Sequence, residues 1–262
     1  MKKKTLLIQL LLLLSYYSFA SNEILSPADS VTATTCHHHE KKTRVFIYTQ
    51  LISPSLLIGS GALALCSQRI RSVDNQINRG VSAQHKRVSY DDYIQYVPTA
   101  SVLLLEVCGV KSENGFKKQV ITLPLSILLT ATLVNAGKYS VQRMRPDQSS
   151  KNSFPSGHTA TAFMGAELLR MEYGKEYPLI AATGYALAAM TGAMRIYNNR
   201  HFLSDVLAGA GVGILSVRIA YWLSPYLNDM LWKNNMSRSG AVPSLSPYLI
   251  KDGYGVTLSF NF

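Results

Sequence analysis

Six long apolar stretches, separated by short polar breaks, constrain this chain more than any other feature. They occupy residues 45–66, 93–110, 119–137, 158–171, 178–194 and 203–224. Most are longer than an ordinary strand and rich in Leu, Ala and Met, which favours helices. The pattern predicts an all-α chain, a six-helix bundle over residues 44–224 with a short extended C-terminal tail at 225–262. The 262 residues, 47% hydrophobic and 16% charged, suffice for one sizeable core and leave little for a second.

Length and polarity divide these stretches. The run VITLPLSILLTATLVNAG is a good candidate for crossing a bilayer, whereas YIQYVPTASVLLLEVCGV carries Glu106 and is a poor one. Mean hydropathy is only +0.08. A membrane-embedded bundle and a compact helical protein lying against the membrane both fit. The N-terminus, MKKKTLLIQLLLLLSYYSFASNE, has a basic start, a short leucine-rich run and a small-residue end, which reads as a secretory signal peptide over residues 1–20. Export places the chain in the cell envelope, facing the periplasm.

The remaining features carry less chemistry. Residues 21–43 form a polar segment containing CHHHEKK, a cluster without partnering ligands at defined spacing, so no metal is expected there. Cys66 and Cys108 lie in apolar stretches and Cys36 in the polar segment, a distribution that reads as buried small residues with no disulfide framework. Gly209 and Gly213, four apart, fit close helix packing, since no strand precedes them as a phosphate loop requires. Val256, Leu258, Phe260 and Phe262 alternate as in a single appended strand. The net charge of +11 comes without a nucleic-acid motif and points to anionic lipid or phosphate ligands.

Three short polar pieces interrupt the apolar pattern at helix ends. In KYSVQRMRP, Lys138 and Arg145 are seven residues apart, a spacing that puts two cations on one face of a helix. In Pro155-Ser156-Gly157-His158, a hydroxyl and backbone N–H groups stand at a helix N-terminus, which attracts anions; an N-cap serine followed by an incidental histidine is the plainer reading of that piece alone. In RIYNNRHFLSD, Arg195 precedes His201, and Asp205 follows it by four residues, so the carboxylate is expected to accept Nδ1–H and leave Nε2 free to attack.

Together the order Lys-x6-Arg-Pro, Pro-Ser-Gly-His and Arg-x5-His-x3-Asp resembles the type 2 phosphatidic acid phosphatase superfamily, over residues 92–224. That superfamily also includes bacterial class A acid phosphatases and vanadium haloperoxidases. One departure is Met194, where the family often has serine. The resemblance implies a metal-independent phosphomonoesterase without cofactor. Lys138, Arg145, Arg195, Ser156 and Gly157 would bind the phosphoryl oxygens, His201 would attack phosphorus, Asp205 would orient it, and His158 would protonate the leaving oxygen. The wording of the motifs looks most like envelope lipid phosphatases of the lipid A type. A soluble periplasmic acid phosphatase is the alternative, with a vanadate-dependent haloperoxidase behind it. The partners expected are a phosphorylated lipid and the membrane.

Overall fold

The computed structural model describes residues 49–82, 89–230, 242–250 and 253–261. The expected signal peptide, the polar segment with Cys36 and its histidines, and Phe262 fall outside these residues. Among the described residues there are eight helices, in the order α1 (Thr49–Cys66), α2 (Gln68–Ser82), α3 (Asp91–Ile94), α4 (Val97–Val107), α5 (Phe116–Val141), α6 (Gly157–Tyr173), α7 (Pro178–Tyr197) and α8 (Leu203–Asn228). All six expected helices are present, and α8 carries the helical part to Asn228, past the expected boundary. The two extra helices, α2 and α3, were missed because they are polar, and a search for apolar runs passes over them. The tail is an antiparallel hairpin, not a lone strand: β1 (Val242–Ile250) pairs with β2 (Gly253–Asn261).

Three helices, α5, α7 and α8, are long and apolar enough to cross a membrane, and α1 with α2 passes the same test as a pair bent by 99°. The 26 residues of α5 extend about 39 Å, beyond the ~30 Å of a hydrocarbon core. The chain is therefore membrane-embedded. Exposed aromatic side chains gather at both ends of the bundle: Tyr90, Tyr93, Tyr96 and Tyr139 at one, Tyr177, Trp222 and Tyr226 at the other. Amphipathic rings favour the two membrane–water boundaries, so these belts mark the bilayer edges. Cys66 and Cys108 are exposed, contrary to the expectation of burial. Both stand at or just past a helix end, and an apolar neighbourhood in a membrane chain marks lipid contact as readily as core.

Small residues set the helix contacts. A Cβ on Gly213 would lie 2.3 Å from the Ala160 carbonyl, one on Gly209 2.5 Å from the Ser156 carbonyl, and one on Gly61 2.5 Å from the Ser204 carbonyl. Such contacts bring α8 against α6 and α1 with backbone touching backbone, and Gly209 and Gly213 do the packing expected of them. In the interior, Glu167 is fully buried on α6, 2.5 Å from Arg170 Nη2 and 2.8 Å from Arg218 Nε of α8, and it accepts from the Tyr185 hydroxyl of α7. Arg218 also donates to the Gln50 carbonyl of α1. One carboxylate thus joins four helices, and removing it would leave Arg170 and Arg218 without their shared anion.

The antiparallel run of these helices has one consequence for function. The C-terminal ends of α1, α5 and α7 and the N-terminal ends of α6 and α8 all meet at the same end of the bundle, where α2 and α3 also lie. Substituting Gly213→Ala forces α6 and α8 apart and is expected to cost roughly 1–3 kcal/mol. Gly59→Ala, inside α1 with nothing within 4 Å of its Cβ, is expected to cost nothing and to stabilise by up to about 1 kcal/mol. Thermal melting in detergent, with Gly59→Ala as control, checks both.

Candidate active site

The loop 142–156 and the start of α8 build the site. Helix α5 stops at Val141, where Gln142 adopts a left-handed conformation (φ 47°). Arg145 is therefore not on the helix with Lys138, and the shared helix face expected from their spacing does not exist. The turn brings them together instead. Lys138 Nζ lies 3.7 Å from where a Gly157 Cβ would stand. Lys138, Arg145 and Arg195 are close enough to feel one another's charge, and Arg145 feels Arg200 as well. Arg145 is steadied by Nε donating to Asn152 Oδ1 at 2.8 Å.

A Cβ at 157 would make only ordinary van der Waals contact with Val134 and the ammonium group. Ser156 is the N-cap of α6 and fully buried; its hydroxyl pairs with Thr159 Oγ1 at 2.9 Å and faces the Thr159 N–H at 3.5 Å. In this form the serine caps the helix, the plainer of its two expected roles. Its own N–H donates to the Asp205 carbonyl at 3.0 Å, joining the second motif to the third.

His201 is 1% exposed and sits before α8, not within it. Its Nδ1 donates to the Ser153 carbonyl at 2.8 Å, whereas Asp205 Oδ2 is 3.8 Å away. The direct Asp205–His201 hydrogen bond expected from the i,i+4 spacing is thus replaced by one to backbone, because both residues are not on one helix. A carbonyl only accepts, so Nδ1 carries the proton and Nε2 keeps its lone pair. Burial depresses the His201 imidazole to about 4, against the opposing pull of Asp205, with Arg195 and Arg145 adding to the depression. The ring is neutral at physiological pH.

Asp205 acts as an anchor. Its Oδ2 accepts from Ser153 Oγ at 2.5 Å and from the Phe202 N–H at 3.0 Å, and its Oδ1 from Arg143 Nη1 at 2.8 Å. Arg143 bridges onward to Asp74 of α2 at 3.0 Å and to Ser204 Oγ at 2.6 Å, and stacks 4.1 Å over the Phe202 ring. Sequence reasoning missed Arg143 and Asp74. Arg143 stood between the two motif cations as one more base, and Asp74 lies in a helix with no apolar signature.

The other omission is Asp91 and Asp92, which open α3. Arg195 Nη1 lies 2.5 Å from Asp91 Oδ2 and 3.5 Å from Asp92 Oδ1, and Asn198 donates to Asp91 at 3.1 Å. His158 Nε2 is 2.9 Å from Asp92 Oδ1. Paired acids in the first turn of a helix were the available signal, obscured because their partners, His158 and Arg195, lie 66 and 104 residues away. Arg195 is nearly buried, and its Nε–H has no hydrogen-bond partner among the described residues. A buried unsatisfied N–H of a cation is costly, and an anion entering here would satisfy it.

The architecture is that of a membrane-embedded helical bundle that gathers three cations and two histidines at one end. The model of the PAP2 superfamily matches residues 119–229, and the chain belongs to that family. It is 38% identical over 207 residues to the lipid A 1-phosphatase of Porphyromonas gingivalis, covering 76% of this chain and 46% of that protein. The chain spans about half the length of the curated relatives it matches. Among solved structures, Aquifex aeolicus LpxE aligns with a TM-score of 0.44 at 27% identity, covering 56% of this chain and 94% of the other. The transmembrane PAP2-type phosphatidylglycerolphosphate phosphatase of Bacillus subtilis aligns with a TM-score of 0.47 at 22% identity, covering 70% and 97%.

Replacing Arg143 with Met leaves Asp74 and Asp205 without their shared cation. The expected loss is on the order of 3–5 kcal/mol of stability. Replacing Lys151 with Met instead, an exposed residue of the same loop, serves as the control in a denaturation series.

Proposed function

We propose that this chain is a phosphatase of phosphorylated envelope lipids, working without metal through a phosphohistidine. The observation that carries the reading is the convergence of Lys138, Arg145 and Arg195 on one bundle end that also holds a neutral, buried His201. Three fixed cations offset the charge of a phosphoryl group, the part that magnesium plays in other phosphoryl-transfer sites. The Gly157 N–H adds a donor at the start of α6, and Ser156 orders that turn.

The lone pair of His201 Nε2 attacks phosphorus. The bond from phosphorus to the leaving oxygen breaks, its electron pair stays on oxygen, and His158 supplies the proton. Water then attacks the phosphohistidine, giving its proton to His158, and phosphate leaves as His201 returns to its neutral form. Asp205 holds the Ser153 carbonyl in place and thereby the ring.

Two further observations favour a lipid. The site end carries the Tyr90, Tyr93, Tyr96 and Tyr139 belt, so the reacting phosphoryl group sits at head-group depth. A cavity of about 650 Å³ opens beside Arg145, lined by Asn75, Arg79, Gln148 and Phe202 among others; it gives room for a polar head group next to Arg145, and neither His158 nor His201 is part of its lining. The P. gingivalis relative makes lipid A the first candidate.

The site is proposed to face the periplasm. Because α1 begins at the bundle end remote from the site, a crossing α1 then requires Thr49 on the cytoplasmic side, with Lys41, Lys42 and Arg44 before it as the basic flank. A leader removed after Ala20 would put Thr49 outside and the site inside. Labelling of Ser150→Cys, in a background with the native cysteines replaced, separates these: modification by an impermeant reagent in intact cells is expected, and protection would reverse the orientation.

Activity is tested by phosphate release from lipid A, phosphatidylglycerol phosphate, phosphatidic acid, polyprenyl diphosphate and a soluble aryl phosphate. His201→Ala is expected to abolish release and His158→Ala to lower it roughly 10²- to 10⁴-fold. Full activity of His201→Ala would defeat the mechanism. His201 must be neutral, which holds above about pH 4. His158 must be protonated, and burial with Arg195 holds it below the usual histidine value despite Asp92. The free-enzyme profile of kcat/KM is therefore expected to peak on the acid side of neutrality.

A further inference from the structure

The aspartate that faces His158 stands outside all three motifs and outside residues 119–229. Asp92 Oδ1 is 2.9 Å from His158 Nε2, and 3.5 Å from Arg195 Nη1. Asp91, its neighbour in the chain, is 1% exposed and fixed by Arg195 and Asn198, so the first turn of α3 is held against α7 while Asp92 reaches α6. A carboxylate in hydrogen-bond contact with one imidazole nitrogen fixes the ring plane and leaves the other nitrogen to work. Among the described residues Nδ1 of His158 makes no hydrogen bond.

We propose that Asp92 is the positioning residue of His158: it accepts the hydrogen bond from Nε2–H and sets Nδ1–H as the donor to the leaving oxygen. The inference rests on the phosphatase reading given above. In the first half-reaction the Nδ1 proton passes to the leaving oxygen as the phosphorus–oxygen bond breaks, and the ring becomes neutral with its Nε2–H still on Asp92. In the second, Nδ1 takes a proton from the attacking water. Asp92 keeps accepting from Nε2–H in both half-reactions, so the chain holds two histidines oriented in two ways, His201 by a backbone carbonyl and His158 by a carboxylate.

The charges facing His158 are Arg195 from α7 and Asp91 and Asp92 from α3. Burial is the largest influence and lowers its proton affinity, Arg195 lowers it further, and Asp92 and then Asp91 oppose them. Removing the Asp92 charge takes away the main opposing influence. The imidazolium then loses its proton at lower pH, and the basic limb of the rate profile moves toward acid.

The leaving group discriminates this role from a structural one. Asp92→Asn, Asp92→Ala and Asp92→Glu are assayed on a short-chain phosphatidic acid, whose alkoxide needs a proton to leave, and on nitrophenyl phosphate, whose phenolate leaves without one. Asp92→Asn and Asp92→Ala are expected to lose roughly 10- to 100-fold in kcat/KM on the first and less than about 3-fold on the second, with Asp92→Glu recovering part of the loss. Equal losses on both substrates, or no loss on either, overturn the proposal. The titration of His158, followed by NMR of histidine-labelled protein in detergent, is expected to shift to lower pH in Asp92→Asn, and an unchanged titration also overturns it. If the unaltered protein hydrolyses neither phosphate, the phosphatase reading fails, while the titration still decides whether Asp92 governs His158.

Discussion

Every part of the site leans on the buried carboxylate of Asp205. Its oxygens accept from Ser153, the Phe202 N–H and Arg143, and its backbone carbonyl accepts from the Ser156 N–H. Those four contacts tie the loop after α5, the N-cap of α6 and the start of α8 to one point. Through Arg143 the same carboxylate reaches Asp74 and so draws α2 across the end of the bundle. The His201 ring is held at one remove, by the carbonyl of a residue whose hydroxyl Asp205 holds. A buried charge is tolerated here because both carboxylate oxygens accept from donors, one of them a guanidinium.

The site is built around an excess of positive charge in a place where cations repel one another. Three acids offset part of it: Asp91 and Asp92 at Arg195, and Asp147 at Arg200, 2.9 Å away. Asp147 and Asp205 act on Arg145 as well, and the Nε edge of Arg195 is left without a partner among the described residues. The surrounding bundle keeps these groups in place by backbone contact at Gly61, Gly209 and Gly213 and by the Glu167 junction, all of which lie away from the pocket mouth. Rigidity below and charge above suit a group that must be gripped at the membrane surface.

The bundle was legible because its signal is redundant. A run of fifteen to twenty apolar residues names a helix whatever its neighbours are, and all six expected helices appear near their expected limits. Helices α2 and α3 were not legible, since a polar helix is stabilised by particular partners, Asp74 by Arg143 and Asp91 by Arg195, that lie 69 and 104 residues away. The same holds for Arg143, Ser153, Asp91 and Asp92 in the site. None has a motif, and each acquires its meaning from a partner that only folding supplies. The exposed Cys66 and Cys108 show the reverse error, in which apolar surroundings were taken for a core although in a bilayer they mark the outside.

The sequence by itself determined the helical class, the family and the order of the cations and histidines in the three motifs, because these depend on residue type and order along the chain. Only the tertiary structure decided how those residues are held. It ended α5 at Val141, so that Arg145 reaches Lys138 around a turn and not along a helix face. It gave the Nδ1 proton of His201 to the Ser153 carbonyl and drew Asp205 into the anchor. It also set Asp92 against His158. Hydrogen-bond partners are chosen by direction and distance within about 3 Å. Spacing along a chain carries that information only while the chain stays in one helix, and at this site it leaves the helix at each of the three motifs.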